Sequence, residues 1–377
     1  ATRSRFVVSN YGMGGSLQSG MAESRWGGPA AALLKWETTN QFDIGLDIAF
    51  LNNRVNLTVD AYYKKTKDLL LDKLIPMSSG FSRIQANYGN VTNKGLEISG
   101  HFIPVKARNF LWSIDANISF NRNKVGGLDA DQYSDVAWGI ENMFLVRNGE
   151  PIGTLYGYVE DGFYDNEAEV RADPLYRNET DSKVKSMVGE VKYKNLDDDP
   201  VIDNRDRQII GNTNPDYQYG ITNTLEWKNW TFSFFLQGTQ GNDVLNVNLK
   251  KFDMASVDNM PYFIYNNRWT AENRANAKWP RANRTSTRSM RASDRYIEDG
   301  SYLRCKNVSL SYRFRHPMKF VESINLVASV SNLFTISGYS WMDPDVNSFG
   351  SDPKRRGVDM ASYPSARTFN FGVQIGF

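Results

Sequence analysis

From Phe369 to Phe377 every second residue is apolar. Phe369, Phe371, Val373, Ile375 and Phe377 alternate with Asn370, Gly372, Gln374 and Gly376. Successive side chains of an extended strand point to opposite faces, so this segment has one apolar face and one small or polar face. The same pattern recurs over residues 42–50, 55–63, 96–102, 112–120, 219–227, 230–240, 302–314 and 324–335. With a further strand over 5–10, the chain predicts about ten strands of roughly ten residues, the length a tilted strand needs to cross a bilayer.

The connections narrow the choice further. Residues 51–54, 105–109, 228–229 and 315–320 are short links, while 11–35, 66–93, 124–216, 241–300 and 336–367 are long ones. Short and long alternate along the chain. A soluble sandwich has no reason to sort its turns by side. A membrane barrel does, with short turns at one surface and long loops at the other. The expected fold is therefore all-β: part of a large antiparallel transmembrane barrel, with short periplasmic turns, long extracellular loops and the C-terminus at the periplasmic side. Trp36, Trp112, Trp227, Trp230 and Tyr312 fall near predicted strand ends, as interfacial girdles require. The soluble alternative is an all-β ligand-binding protein with amphipathic strands.

Composition agrees. Hydrophobic residues are 41% of the 377 and aromatics 13%, too apolar for general disorder. Mean hydropathy is −0.51 and no stretch of 18 apolar residues occurs, which excludes membrane helices and leaves barrels open. Lys plus Arg is 44 against 42 for Asp plus Glu, a balance unlike that of a dedicated nucleic-acid binder. One cysteine, Cys305, excludes an intrachain disulfide framework and cysteine-based metal centres. With only His101 and His316 besides, no nucleophile, base and orienting group can be assembled, so catalytic residues are expected to be none. His101 and Cys305 are assigned by alternation to the lumen face, and His316 to a short turn.

One segment has ligand-like spacing. Asn195, Asp197, Asp199, Asp203 and Asp206 place side-chain oxygens at positions 1, 3, 5, 9 and 12 of a loop, and Val201 offers its carbonyl at position 7. That spacing resembles an EF-hand-type calcium loop; a solvated acidic turn is the other reading. A basic stretch, with Arg268, Arg274, Lys278, Arg281, Arg284, Arg288, Arg291 and Arg295 beside Trp269 and Trp279, falls in a predicted extracellular loop. There it is expected to be solvated, or to meet lipopolysaccharide or an acidic partner, rather than nucleic acid. The cluster Gly12-Met13-Gly14-Gly15 lacks the context of a phosphate cradle.

Ordered blocks then resemble a known family. They include Leu34-Lys35-Trp36-Glu37-Thr38-Thr39, Asp60-Ala61-Tyr62-Tyr63-Lys64-Lys65-Thr66, Asn93-Lys94-Gly95-Leu96-Glu97 and Gly149-Glu150-Pro151-Ile152-Gly153. Further blocks are Gln237-Gly238-Thr239-Gln240-Gly241-Asn242-Asp243, Arg268-Trp269-Thr270, Ser331-Asn332-Leu333-Phe334 and the segment 367–377. From about residue 34 to the end the chain resembles the SusC/RagA family of TonB-dependent outer-membrane transporters of Bacteroidetes. The resemblance implies that 1–377 is the C-terminal part of such a barrel, with the plug and TonB-binding segment outside this chain. It implies import of oligomeric nutrients, glycans first and oligopeptides second, with a SusD-like surface lipoprotein. Energy would come through TonB acting on the N-terminal part. Outer-membrane lipid and the remainder of the barrel are the other implied partners; a non-transporting structural barrel is the alternative. No cofactor is required. The family's acidic loop has Asp first and Gly sixth, where this chain has Asn195 and Pro200.

Overall fold

The computed structural model describes residues 7–13, 16–22, 34–76, 83–136, 140–252, 259–283, 291–318 and 320–377, with side chains from 34 onward except at 72, 74, 83, 85, 316 and 317. Nine strands form one antiparallel sheet in which every strand pairs with its sequence neighbour in the sheet. They are β1 (Thr38–Phe50), β2 (Val55–Lys67), β3 (Asn90–Ala107), β4 (Phe110–Gly126) and β5 (Tyr217–Trp227). The remaining four are β6 (Trp230–Gln240), β7 (Tyr302–Met318), β8 (Val321–Ser337) and β9 (Thr368–Gly376). The sheet is open: β1 and β9 are its two edges.

The alternation read from sequence sets the faces. Leu46 pairs with Val59, Val59 with Ile98 and Ile98 with Ile118, so the apolar rows continue from strand to strand. Asp47 pairs with Thr58, Thr58 with Ser99 and Ser99 with Asn117, which builds the polar face the same way. Phe42, Ile44, Phe369 and Phe371 are more than 60% exposed, an apolar outer band that water would not tolerate and lipid would.

Tight turns gather at one end. Residues Leu51, Asn52 and Asn53 all take left-handed φ, from 54° to 60°, in the β1–β2 turn. Trp227 and Trp230 flank the Lys228–Asn229 turn as a cross-strand pair, and Trp230 packs edge-on against Tyr312 at 4.6 Å. With Phe110 opposite Trp227, these rings form an aromatic belt at the short-turn end.

Three expectations need refinement. The strand expected over 5–10 is Val7–Met13, and it pairs with Ser16–Ala22 in a separate hairpin outside the nine-stranded sheet. Residues 5 and 6 lie outside the described residues. The sequence ended β3 and β7 early. β3 runs on through Pro104, which sits at a bulge between Phe102 and Val105 where no ladder N–H is needed. β7 likewise continues through His316 to Met318, so His316 belongs to a strand rather than a turn; its side chain lies outside the described residues.

The long connections fold together at the opposite end. Ile140, Phe144, Leu155, Leu245, Ile264, Tyr296 and Val358, from three connections, share one buried cluster. Val91, Val125, Leu128 and Val146 fasten it to the upper ends of β3 and β4.

Candidate functional site

The polar face offers a shallow recess of about 570 Å3 lined by Gln41, Asp43, Asp60, Tyr62, Lys64, Asn93, Glu97 and Asn121. Side chains fit here because glycines leave room: the Tyr62 ring lies over Gly95, where a Cβ would collide with it. Tyr62 Oη donates to Asn121 Oδ1 at 3.0 Å, fixing the ring across the sheet. His101 lies in the same polar rows, 2.6 Å from Asp115, as alternation predicted. Cys305 does not. A bulge between Cys305 and Asn307 shifts the phase, so Cys305 pairs with Leu236 and Phe334 in the apolar row. Arg304 takes the polar side instead.

Arg304 is the most buried cation of the loop end, at 2% exposure. It pairs with Asp343 and donates to Thr335 Oγ1 at 3.0 Å and Ser365 Oγ at 3.1 Å. Burial opposes the charge on Asp343. The N–H groups of Ser365 and Asp345, the Ser365 hydroxyl and Arg304 outweigh burial and hold the carboxyl below its ordinary value. This network fastens the connection after β8 to the sheet beneath a recess of about 290 Å3 that also holds Phe334, Tyr339 and Trp341.

Three cations of the basic stretch, Arg281, Arg291 and Arg295, are engaged inside the loop assembly, while Arg274 and Lys278 are exposed as expected. Arg295 pairs with Glu160, Nε to Oε1 at 2.8 Å, and both side chains are largely removed from solvent. Arg281 donates to the Ser186 carbonyl at 3.0 Å, and Arg291 to that of Ile202 at 3.0 Å. Trp269 donates to Asp165 at 3.0 Å. These contacts stitch the 241–300 connection to the acid-rich 124–216 connection, which the sequence could not show because the partners lie about a hundred positions away. Arg284 and Arg288 lie outside the described residues. The assembly leaves aromatic as well as charged side chains exposed: on the helix Tyr262–Asn267, Ile264 is buried while Tyr262 is 77% exposed. Tyr265 is half-exposed beneath the Arg268 guanidinium, 3.8 Å from the ring centroid.

Asn195, Asp197, Asp199, Val201, Asp203 and Asp206 are brought into one loop. A solvent-exposed guanidinium draws the loop's carboxylates together: Arg205 reaches Asp197 at 3.1 Å, Asp203 at 3.0 Å and Asp199 as well. Asp206 is buried and accepts the N–H groups of Leu196 and Asp203, each at 2.8 Å. Asn195 Oδ1 is buried with no hydrogen-bond partner. The carboxylates are thus committed to protein donors, which is a poor fit to a calcium ligand set.

An antiparallel sheet with an apolar outer face, a polar inner face, tight turns at one end and folded loops at the other defines a transmembrane β-barrel wall. No helix among the described residues is long and apolar enough to span a membrane. The TonB-dependent receptor-like β-barrel family model matches residues 9–333, and the chain belongs to that family. It is 33% identical to TonB-dependent receptor P26 of Formosa agariphila, over all of this chain and 38% of that protein. It is 29% identical to TonB-dependent receptor SusC of Bacteroides thetaiotaomicron, over 91% of this chain and 32% of that protein. The chain therefore spans about a third of the length of these relatives. Its fold matches the RagAB peptide importer in the closed-closed state, with a TM-score of 0.75 at 18% identity over 99% of this chain and 38% of that one. The SusC/RagA resemblance read from the sequence blocks is borne out.

Proposed function

We propose that the chain is the C-terminal part of a TonB-dependent importer in a bacterial outer membrane, taking up oligomeric nutrients with a SusD-like surface lipoprotein. The observation that carries this reading is the combination of a barrel wall polar on its inner face with long loops folded into one assembly at a single end. TonB would act through N-terminal parts of the longer protein, and outer-membrane lipid and lipopolysaccharide would surround the apolar band.

Glycans are the first choice of cargo. Exposed rings at Tyr262 and Tyr265 suit stacking on sugars, and the amides and hydroxyls of Gln218, Thr222, Ser309 and Asn370 suit sugar hydroxyls. An oligopeptide is the second reading, favoured by the fold match to the RagAB peptide importer. Isolation of the full-length protein with its lipoprotein in mild detergent, followed by mass spectrometry of the bound oligomer, tests both. Recovery of a glycan supports the first, and recovery of peptides replaces it with the second. Unimpaired growth on the recovered oligomer after deletion of the gene would overturn transport.

A further inference from the structure

The acidic loop carries a cation of its own. Arg205 stands at the eleventh of the twelve positions from Asn195 to Asp206, and its guanidinium reaches the side chains at positions 3, 5 and 9. We infer that Arg205 takes the place a divalent cation would fill, so that this loop is held in its folded form without calcium.

In a calcium loop, side-chain oxygens converge on one centre because a cation offsets their mutual repulsion. Here the convergence is the same and the counter-charge is a planar fork of donors. Arg205 Nε also donates to both Asp203 oxygens, at 3.2 and 3.3 Å. These hydrogen bonds are the main cause that holds the Asp203 carboxyl below its usual value.

The remaining ligand positions are committed elsewhere. Asp206, at the twelfth position, closes a capping box with Asp203 around the short turn Asn204–Asp206. Asp199 Oδ1 accepts the Val201 N–H at 2.8 Å. The sharp bend has moved as well. Pro200 cannot take positive φ, and Asp198 takes it instead, at 58°. Asn195 turns its amide nitrogen to the Asp199 carbonyl at 2.6 Å. The loop then delivers Ile202 into the cluster of Tyr158, Val191 and Tyr193, next to the Arg291 hydrogen bond. Arg205 thereby holds a joint between the two longest connections.

The test is limited proteolysis of the full-length protein in detergent, with cleavage within 195–206 followed by mass spectrometry. The unsubstituted protein is expected to be cleaved at rates within about twofold of each other in EDTA and in millimolar calcium chloride, since local opening sets the rate. Arg205→Gln is expected to be cleaved about tenfold faster in EDTA, because local opening loses its main restraint. Arg171→Gln, which removes the pair with Asp181 and the hydrogen bonds to the Arg177 and Glu179 carbonyls, lies in the same connection but outside 195–206; it serves as the control and should leave cleavage within 195–206 within about twofold. Calcium protection of the unsubstituted loop beyond that range would overturn the inference. So would an Arg205→Gln rate equal to the unsubstituted one, or equal acceleration by Arg171→Gln.

Discussion

Asp60 stands directly opposite Glu97 across β2 and β3, and neither carboxylate is ion-paired among the described residues. Like charges placed opposite each other weaken a strand pair. Glu97→Gln should therefore stabilise the barrel by about half a kcal/mol. Denaturant unfolding of the full-length protein measures it. A lower midpoint in the variant would mean that a cationic group outside this chain seats on the pair.

Tyr62 and Gly95 make a second pairing that depends on the absence of a side chain. Gly95→Val would push the ring off and break its hydrogen bond to Asn121, at a cost of about 1–3 kcal/mol. Tyr62→Ser in the same chain should recover most of that loss. Additive losses in the double variant would show that the two positions do not interact.

Arg304 and Asp343 should make the connection after β8 sensitive to acid. The folded protein lowers the Asp343 pKa, so its stabilising contribution is complete above the ordinary carboxylate pKa of about 4. It is lost as pH falls through the lower folded value. Protection against hydrogen exchange in residues 338–367, taken relative to the intrinsic rate at each pH, should be nearly constant from neutral pH down to about 5 and then fall towards about 3. Asp343→Asn should exchange faster at neutral pH, since it removes the direct partner of buried Arg304 and leaves the Asp345 carboxylate at 3.6 Å as the remaining counter-charge.

Glu160 and Arg295 join the two longest connections through a largely buried pair. Arg295→Met strands the Glu160 charge and should loosen the strands Glu160–Phe163 and Ile297–Asp299 by about 3–5 kcal/mol. Replacing both residues by apolar ones of similar size should restore much of the protection read by hydrogen exchange. Equal protection in Arg295→Met and the unsubstituted protein would remove the pair from the account of how the loops hold together.

Much of this architecture is legible residue by residue. The alternation Phe369, Phe371, Val373, Ile375 fixes which side of β9 faces lipid, and the Lys228-Asn229 link fixes a hairpin, because side-chain period and turn chemistry are local properties. His101 lands on the polar face for the same reason. Cys305 does not, because one extra residue in a bulge reverses the alternation beyond it, and nothing in the local pattern announces the insertion. Strands β3 and β7 run on past Pro104 and Pro317 because a bulge at each leaves the proline nitrogen no ladder bond to make.

The amino-acid sequence by itself determined a membrane barrel wall: its strands, its two faces, the sides of its turns, and the family that the ordered blocks resemble. Only the tertiary structure decided how the charges are used. Arg205 among Asp197, Asp199 and Asp203, Arg295 on Glu160, and Arg304 on Asp343 are pairings over separations from two residues to more than a hundred. A strand pattern repeats every two residues and declares itself locally. An ion pair is chosen by which loops meet, and that is settled when their shared apolar cluster closes and brings the charges within reach.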